Sequence, residues 1–185
     1  AGVRETSDLK LLKDLNVAYR YGDVCLPETL EDMVTGVDYI IHNAGIVKAK
    51  TESRFYEVNE QGTKDLCDAI VKHNPSVKKV ILISSAAASG PSNGATPRTE
   101  DEQPEPIPVY GASKLAGEKV ALSYADQFHV VSLRPSGVYG PADTEIFGFF
   151  QTVNSRIRPR LGNMSRRLQV VHAAVVCNAS HLYIT

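Results

Sequence analysis

Short apolar runs of strand length alternate with helix-length segments along this chain, and that alternation constrains the fold more than any single motif. Val17 to Tyr21 reads as a short strand closed by Gly22-Asp23. Pro27 to Val34 reads as a short helix with its proline in the first turn, where the missing N–H costs nothing. Val37 to His42 is an apolar strand that runs into Asn43-Ala44-Gly45. From about Ser53 to His73 the residues Phe55, Val58, Leu66, Ala69 and Ile70 form the inward stripe of a long helix. Val77 to Ser84 is the most hydrophobic stretch and reads as a strand covered on both faces, as parallel strands are. Residues 86–109 are rich in Gly, Pro, Ser, Asp and Glu and read as a long functional loop. Tyr110 to Phe128 reads as a helix, and Val130 to Leu133 as a strand ending at Arg134-Pro135. Strands separated by helices imply βαβ units, so the expected class is α/β with a doubly wound parallel sheet.

Ligands of such sheets lie at the carboxyl ends of the strands. Here those ends are Gly22-Asp23-Val24, Asn43-Ala44-Gly45, Ser84-Ser85 and Arg134-Pro135-Ser136-Gly137, and small or polar residues gather at each. Tyr110 and Lys114, four residues apart, share one helix face. An ammonium there favours the phenolate and lowers a pKa that is ordinarily about 10. With the hydroxyl of Ser85 beside it, such a phenol moves a proton on and off a carbonyl/alcohol pair. Taken singly, the residues allow blander readings. Asp23 is a common turn former, Asn59 fits a solvated helix face, Pro135 and Gly137 break a strand, and Ser84 is a second candidate hydroxyl.

Composition narrows the remaining classes. The 185 residues, 43% of them hydrophobic, suffice for one sizeable core and a small appendage. A net charge of −1 creates no field for nucleic acid or an anionic membrane surface. The apolar runs are far shorter than a membrane span, and no charged-then-apolar leader opens the chain. The expectation is a cytoplasmic protein with no membrane and no nucleic-acid partner. Cys25, Cys67 and Cys177 form no Cys-x-x-Cys and are expected as reduced, buried thiols. The five histidines lack metal spacing, so no metal site is expected.

These motifs, in this order, resemble the extended branch of the short-chain dehydrogenase/reductase superfamily, the branch of nucleotide-sugar epimerases, dehydratases and dihydroflavonol-reductase-like enzymes. The resemblance implies a Rossmann-type NAD(P)-binding domain over residues 1–135 and a small, partly represented C-terminal substrate region over 136–185. It implies that Asp23, with Val24, meets the adenine amino group, and that Asn43, Ala44 and Gly45 pack against the adenosine ribose. By the same resemblance Asn59 helps hold a relay water near Lys114, and Ser85, Tyr110 and Lys114 are catalytic. Tyr110 and Lys114 also face the cofactor, and Pro135, Gly137 and Val138 lie beside the nicotinamide, in a stretch similar to the family's Arg-Pro-x-x-Val-Tyr-Gly-Pro. Arg4 stands where relatives preferring the 2′-phosphate place a basic residue, which tilts the choice between NAD and NADP slightly toward NADP.

The departures are informative. The family's opening strand and glycine-rich turn, which receive the pyrophosphate at a helix N-terminus, are absent, and the chain starts in what resembles the second strand. A sheet without that central strand leaves two parallel edges unpaired, so the chain is expected to be a fragment of a longer protein. Leu168 to His172 resembles a strand, but Ala173 and Ala174 replace the usual aspartate turn, and His181 to Thr185 reads as a further strand. Dehydratases of the branch carry Asp-Glu after the catalytic serine, whereas Ala86-Ala87 follows here. Arg156, Arg158, Arg160, Arg166 and Arg167 suit a diphosphate or form a solvated basic loop. The expected activity is an NAD(P)-dependent oxidoreductase or epimerase acting on a secondary alcohol or ketone, with a nucleotide sugar as substrate and a homodimer as the assembly. A ketone reductase of dihydroflavonol-reductase type and a non-catalytic dinucleotide sensor are the alternatives.

Overall fold

The computed structural model describes residues 1–92, 96–155 and 169–184. They fall into two compact units, Ala1–Arg134 and Pro135–Thr185. In the first unit β1 (Gly2–Val3) pairs parallel with β2 (Arg20–Tyr21). A separate parallel sheet runs in the order β3 (Tyr39–His42), β4 (Lys79–Ile83), β5 (His129–Leu133). The register aligns Ile41 with Ile81 and Ile81 with Val131, so the three strand ends come level. Parallel strands joined through helices are the α/β architecture that the alternation predicts. The sheet of this unit is interrupted between β1 and β3, which share no backbone ladder.

The central strand explains itself. Val80, Ile81 and Leu82 of β4 are buried on both faces, and Ile70 and Leu66 of α3 (Gly62–His73) cover one side together with Leu30 and Val34 of α1 (Leu30–Val34). Asn74 ends α3 and donates from its amide to the carbonyls of Val34 and Val37, tying the helix to the start of β3. These carbonyls would otherwise be stranded at a loop.

The long helix expected from Ser53 to His73 is three pieces: α2 (Glu52–Tyr56), a π-helical turn over Glu57–Gln61, and α3. Its inward stripe is interrupted accordingly. Val58, Leu66, Ala69 and Ile70 are buried, whereas the Phe55 ring turns to Tyr110, with centroids 6.3 Å apart. Single π turns inside helices commonly sit at functional sites. The expected loop 86–109 opens instead with a short helix, α4 (Ala86–Ser89), because Ser85 caps three alanines by accepting the Ala87 N–H at 3.2 Å. The helix α5 runs from Val109 to Leu122 rather than to Phe128. Beyond it the amides of Tyr124, Ala125 and Gln127 bond three residues back, winding the chain into tighter turns.

The second unit pairs β6 (Gly137–Tyr139) parallel with β7 (Val170–His172) and adds α6 (Glu145–Asn154) and α7 (Ala173–Leu182). Here one expectation is corrected. His181 and Leu182 lie in the last turn of a helix, not in a strand, because the alanine-rich run from Ala173 favours helix and His172 caps it by accepting the Ala174 N–H at 3.2 Å. Cys177 on this helix is exposed and Cys25 half-buried, so of the three free thiols Cys67 alone is buried. The arginines 156, 158, 160, 166 and 167, together with Leu168, lie outside the described residues.

Two glycines let α5 touch its neighbours backbone to backbone. A Cβ on Gly117 would sit 2.0 Å from the Asn59 carbonyl oxygen, and one on Gly111 would sit 2.3 Å from that of Ala87. Both obstacles are main chain, which cannot swing aside. Gly117→Ala is therefore expected to destabilise the first unit by about 1–3 kcal/mol through overpacking. Denaturant unfolding of the variant against the parent measures it, and an unchanged midpoint would contradict the close approach.

Candidate active site

The site is assembled on α5, whose residues 110, 114 and 118 lie one turn apart on a common face. Lys114 is 7% exposed and donates from Nζ to the Ile83 carbonyl at 2.8 Å, at the carboxyl end of β4. Burial lowers its pKa, since the charged form loses solvent, while the carboxylate of Glu118 works in the opposite direction. Ser84 and Ser85 follow Ile83 directly. The Ser84 side chain is buried and its hydroxyl has no hydrogen-bond partner. Ser85 is half-buried, and its Oγ uses only a lone pair, on the Ala87 amide. Its O–H remains to be given. Tyr110 is half-buried beside Phe55.

The π turn aims Asn59 into this cluster. Its side chain makes a two-bond ring with one residue, accepting the Ile46 N–H at 2.9 Å and donating to the Ile46 carbonyl at 3.1 Å. The same amide donates to Ser113 Oγ at 2.9 Å, which in turn donates to the Tyr110 carbonyl at 2.8 Å. Asn59 thus clamps the segment after β3 to the first turn of α5. Its own main-chain carbonyl accepts the Thr63 hydroxyl at 2.8 Å. Thr63 then accepts from His42 Nε2 at 3.0 Å, because its proton is already committed. His42 is 4% exposed, and burial followed by the nearby Lys114 charge pushes its pKa down to about 4. It stands as a neutral imidazole against Lys114.

Behind Lys114 lies a pair that motif reading did not single out. Glu118 is 5% exposed and takes Arg134 on both oxygens, Nε at 3.0 Å and Nη2 on the other oxygen. Arg134 also donates to Ser89 Oγ at 3.1 Å. Burial works to raise the Glu118 pKa, but the Arg134 bonds, the Ser84 hydroxyl, the guanidinium charge and the Ser132 hydroxyl outweigh it and hold the carboxyl low. The two serine hydroxyls act on the carboxylate as dipoles, although neither reaches hydrogen-bond geometry. Position 118 carried a readable signal, an acid one turn after the lysine of a Tyr-x-x-x-Lys pair.

The expected dinucleotide residues divide. Gly45 belongs to the cluster, since a Cβ there would come 3.0 Å from Asn59 Oδ1 and 3.5 Å from Lys114 Nζ. Asn43 and Ala44 are exposed just before it. Arg4 and Asp23 meet each other instead, at 4.0 Å, where β1 and β2 end. Asp23 also accepts the Cys25 N–H at 2.9 Å, and Val24 is buried against the Gly62 turn. Pro135, Gly137 and Val138 belong to the second unit. Among the described residues no group of three or more His, Cys, Asp or Glu is arranged to hold a metal ion, and no helix is long and apolar enough to cross a membrane.

The NAD dependent epimerase/dehydratase family matches residues 3–184. A ceramide reductase of Caulobacter vibrioides (strain NA1000 / CB15N) is 35% identical over 155 residues, which are 83% of this chain and 43% of that protein. The crystal structure of gox2253 superposes with a TM-score of 0.84 at 26% identity, covering 99% of this chain and 57% of its own. DesIV, a dTDP-glucose 4,6-dehydratase from Streptomyces venezuelae seen with NAD and TYD bound, gives 0.78 at 26% identity over 93% and 56%. The chain spans less than half the length of the curated relative and a little over half that of the two solved structures.

The buried imidazole generates a pH dependence. The folded pKa of His42, about 4, lies below the ordinary 6.5, so between these values the unfolded chain binds the extra proton. The stability it contributes is whole above pH 6.5 and is lost as the pH falls toward 4, in all about 3 kcal/mol. In His42→Gln, urea unfolding from pH 7 down to 4.5 is expected to show a shallower loss than the parent; the same slope in both proteins would remove His42 from the account.

Proposed function

The chain belongs to the NAD dependent epimerase/dehydratase family, and from that premise we propose that it oxidises and reduces a secondary alcohol or ketone, with a nucleotide sugar as the substrate class. One observation carries the reading: a buried ammonium, Lys114, is delivered to the end of β4 two residues before Ser85 and one helical turn after Tyr110. A charge costs several kcal/mol to bury and is kept where chemistry uses it.

The residues present fit a dinucleotide. Gly45 leaves open a space that a side chain would fill between Asn59 and Lys114, and Lys114 has two N–H groups left after its bond to Ile83. In this reading those two hold the hydroxyls of the nicotinamide ribose. Asp23 and Val24 lie at the adenine end, Asn43 and Ala44 continue the wall begun by Gly45, and Pro135, Gly137 and Val138 flank the nicotinamide. Arg4, already facing Asp23, serves a ribose 2′-phosphate if NADP is taken as well as NAD. Hydride transfer is the chemistry that bound NAD supplies.

The chain's own residues handle the proton. Ser85 gives its free O–H to the substrate oxygen and orients it. Tyr110 takes or returns the proton at that oxygen, and Lys114 opposes the phenolate that forms. Asn59, fixed by Ile46 and Ser113, keeps α5 in register with the wall at Gly45. Since Ala86 and Ala87 place no carboxylate after Ser85, the reading is oxidation–reduction or epimerisation and not dehydration. The ceramide reductase relative favours a second substrate class, a more apolar hydroxyl or ketone. A homodimer belongs to the same proposal, supported by an open groove of about 510 Å³ on α5, lined by Tyr56, Ala112, Leu115, Ala116 and Val120 among others; sedimentation velocity tests it.

Tyr110→Phe is expected to lower turnover by about 10²–10⁴-fold while NADH binding, followed by fluorescence, stays near the parent's. Nicotinamide absorbance with UDP- and dTDP-sugars in one arm and long-chain ketones in the other distinguishes the substrate classes. Undiminished turnover in the phenylalanine variant would sink the relay.

A further inference from the structure

We propose that Glu118 is a positioning residue that supplies the counter-charge for the buried Lys114 ammonium and, through Arg134, braces the ends of β4, β5 and α4 around it. The proposal rests on the reading of Lys114 as part of the relay. Nothing in the motif comparison assigns a role to this carboxylate.

Among the described residues the charge arithmetic around Lys114 leaves one candidate anion, Glu118. Among them the titratable groups coupled to Lys114 are His42 at the end of β3 and Glu118 on α5, and Glu118 is in turn held by Arg134 just beyond β5. His42 is held neutral. Asn59 and Ile83 offer dipoles only. An ammonium 7% exposed with one carbonyl acceptor is poorly compensated unless an anion stands nearby. Glu118, four residues on, is on the same helix face and 5% exposed.

Glu118 is itself kept anionic by construction. Arg134 occupies both carboxylate oxygens, and the hydroxyls of Ser84 and Ser132 add their dipoles. The order of charge is therefore ammonium, carboxylate, guanidinium, with one anion shared between two cations. The brace has a mechanical side too. Arg134 reaches Ser89, the last residue of α4, the helix that begins at the Ser85 cap. Ser84, which faces Glu118, is preceded by the Ile83 carbonyl that receives Lys114. Through one carboxylate, the serine, lysine and tyrosine positions are held to a common frame.

Loss of the carboxylate lowers the Lys114 titration whereas loss of the guanidinium does not, a difference that damage to the fold would not produce. With lysine labelled at Cε and Nζ and Lys114 assigned from a Lys114→Arg spectrum, NMR titration of the whole chain reads the ammonium directly. Glu118→Gln leaves two cations without their anion, and the Lys114 titration is expected to move to lower pH. Arg134→Gln frees the carboxylate for Lys114, and the titration is expected to move to higher pH or hold. Glu118→Asp keeps the charge and returns the titration toward the parent; it also serves if the glutamine variant fails to fold. An unmoved Lys114 in Glu118→Gln, or a displacement of the same sign in both glutamine variants, overturns the proposal. No substrate enters this measurement. A coupled Lys114 together with an active Tyr110→Phe enzyme would therefore strike down the relay and leave the positioning role standing.

Discussion

Everything at the candidate site hangs on how closely α5 lies against the backbone beneath it. Gly111 and Gly117 bring the helix to within van der Waals range of the Ala87 and Asn59 carbonyls, distances that any side chain would forbid. With the helix seated so deep, Lys114 is pressed out of water and its ammonium reaches the last carbonyl of β4. Tyr110, one turn earlier, comes up beside Phe55, and Glu118, one turn later, goes down to Arg134. Raising α5 by one methyl group would disturb all three together.

Burial then creates the electrostatics. Lys114, His42 and Glu118 are each almost without solvent contact, and each responds differently. The imidazole gives up its charge, the carboxylate keeps its charge because a guanidinium holds both oxygens, and the ammonium sits between these outcomes. The π turn belongs to the same economy of polar groups. Within it the Asn59 carbonyl accepts the Thr63 hydroxyl while the Asn59 amide faces Ser113 and Ile46.

Family membership adds the chemistry that this frame can serve. The matched region covers nearly the whole chain, while the chain spans less than half of its curated reductase relative. The proposed relay draws on Ser85, Asn59, Tyr110 and Lys114, all within the first unit.

The periodicity of apolar residues was enough to determine the strand–helix alternation, the doubly covered β4 and the parallel pairing, because a strand of Val80, Ile81 and Leu82 has no stable place except between two layers. The spacing of Tyr110 and Lys114 likewise follows from helix geometry alone. Helix boundaries were less legible: the tight turns after Leu122, the short helix after Ser85 and the helical end at Leu182 depend on caps and local hydrogen bonds that a hydrophobic pattern does not register. The Arg4–Asp23 contact is not legible either, since no local pattern links positions 4 and 23. Tertiary structure alone decided that Ser84 turns inward while Ser85 keeps a free hydroxyl, that Asn59 reaches Ser113 across 54 positions, and that Glu118 finds Arg134. The reason is physical: a sequence pattern records which side chains avoid water, whereas the partner of a buried polar group is chosen only when packed elements bring distant backbone and side-chain atoms within hydrogen-bond range.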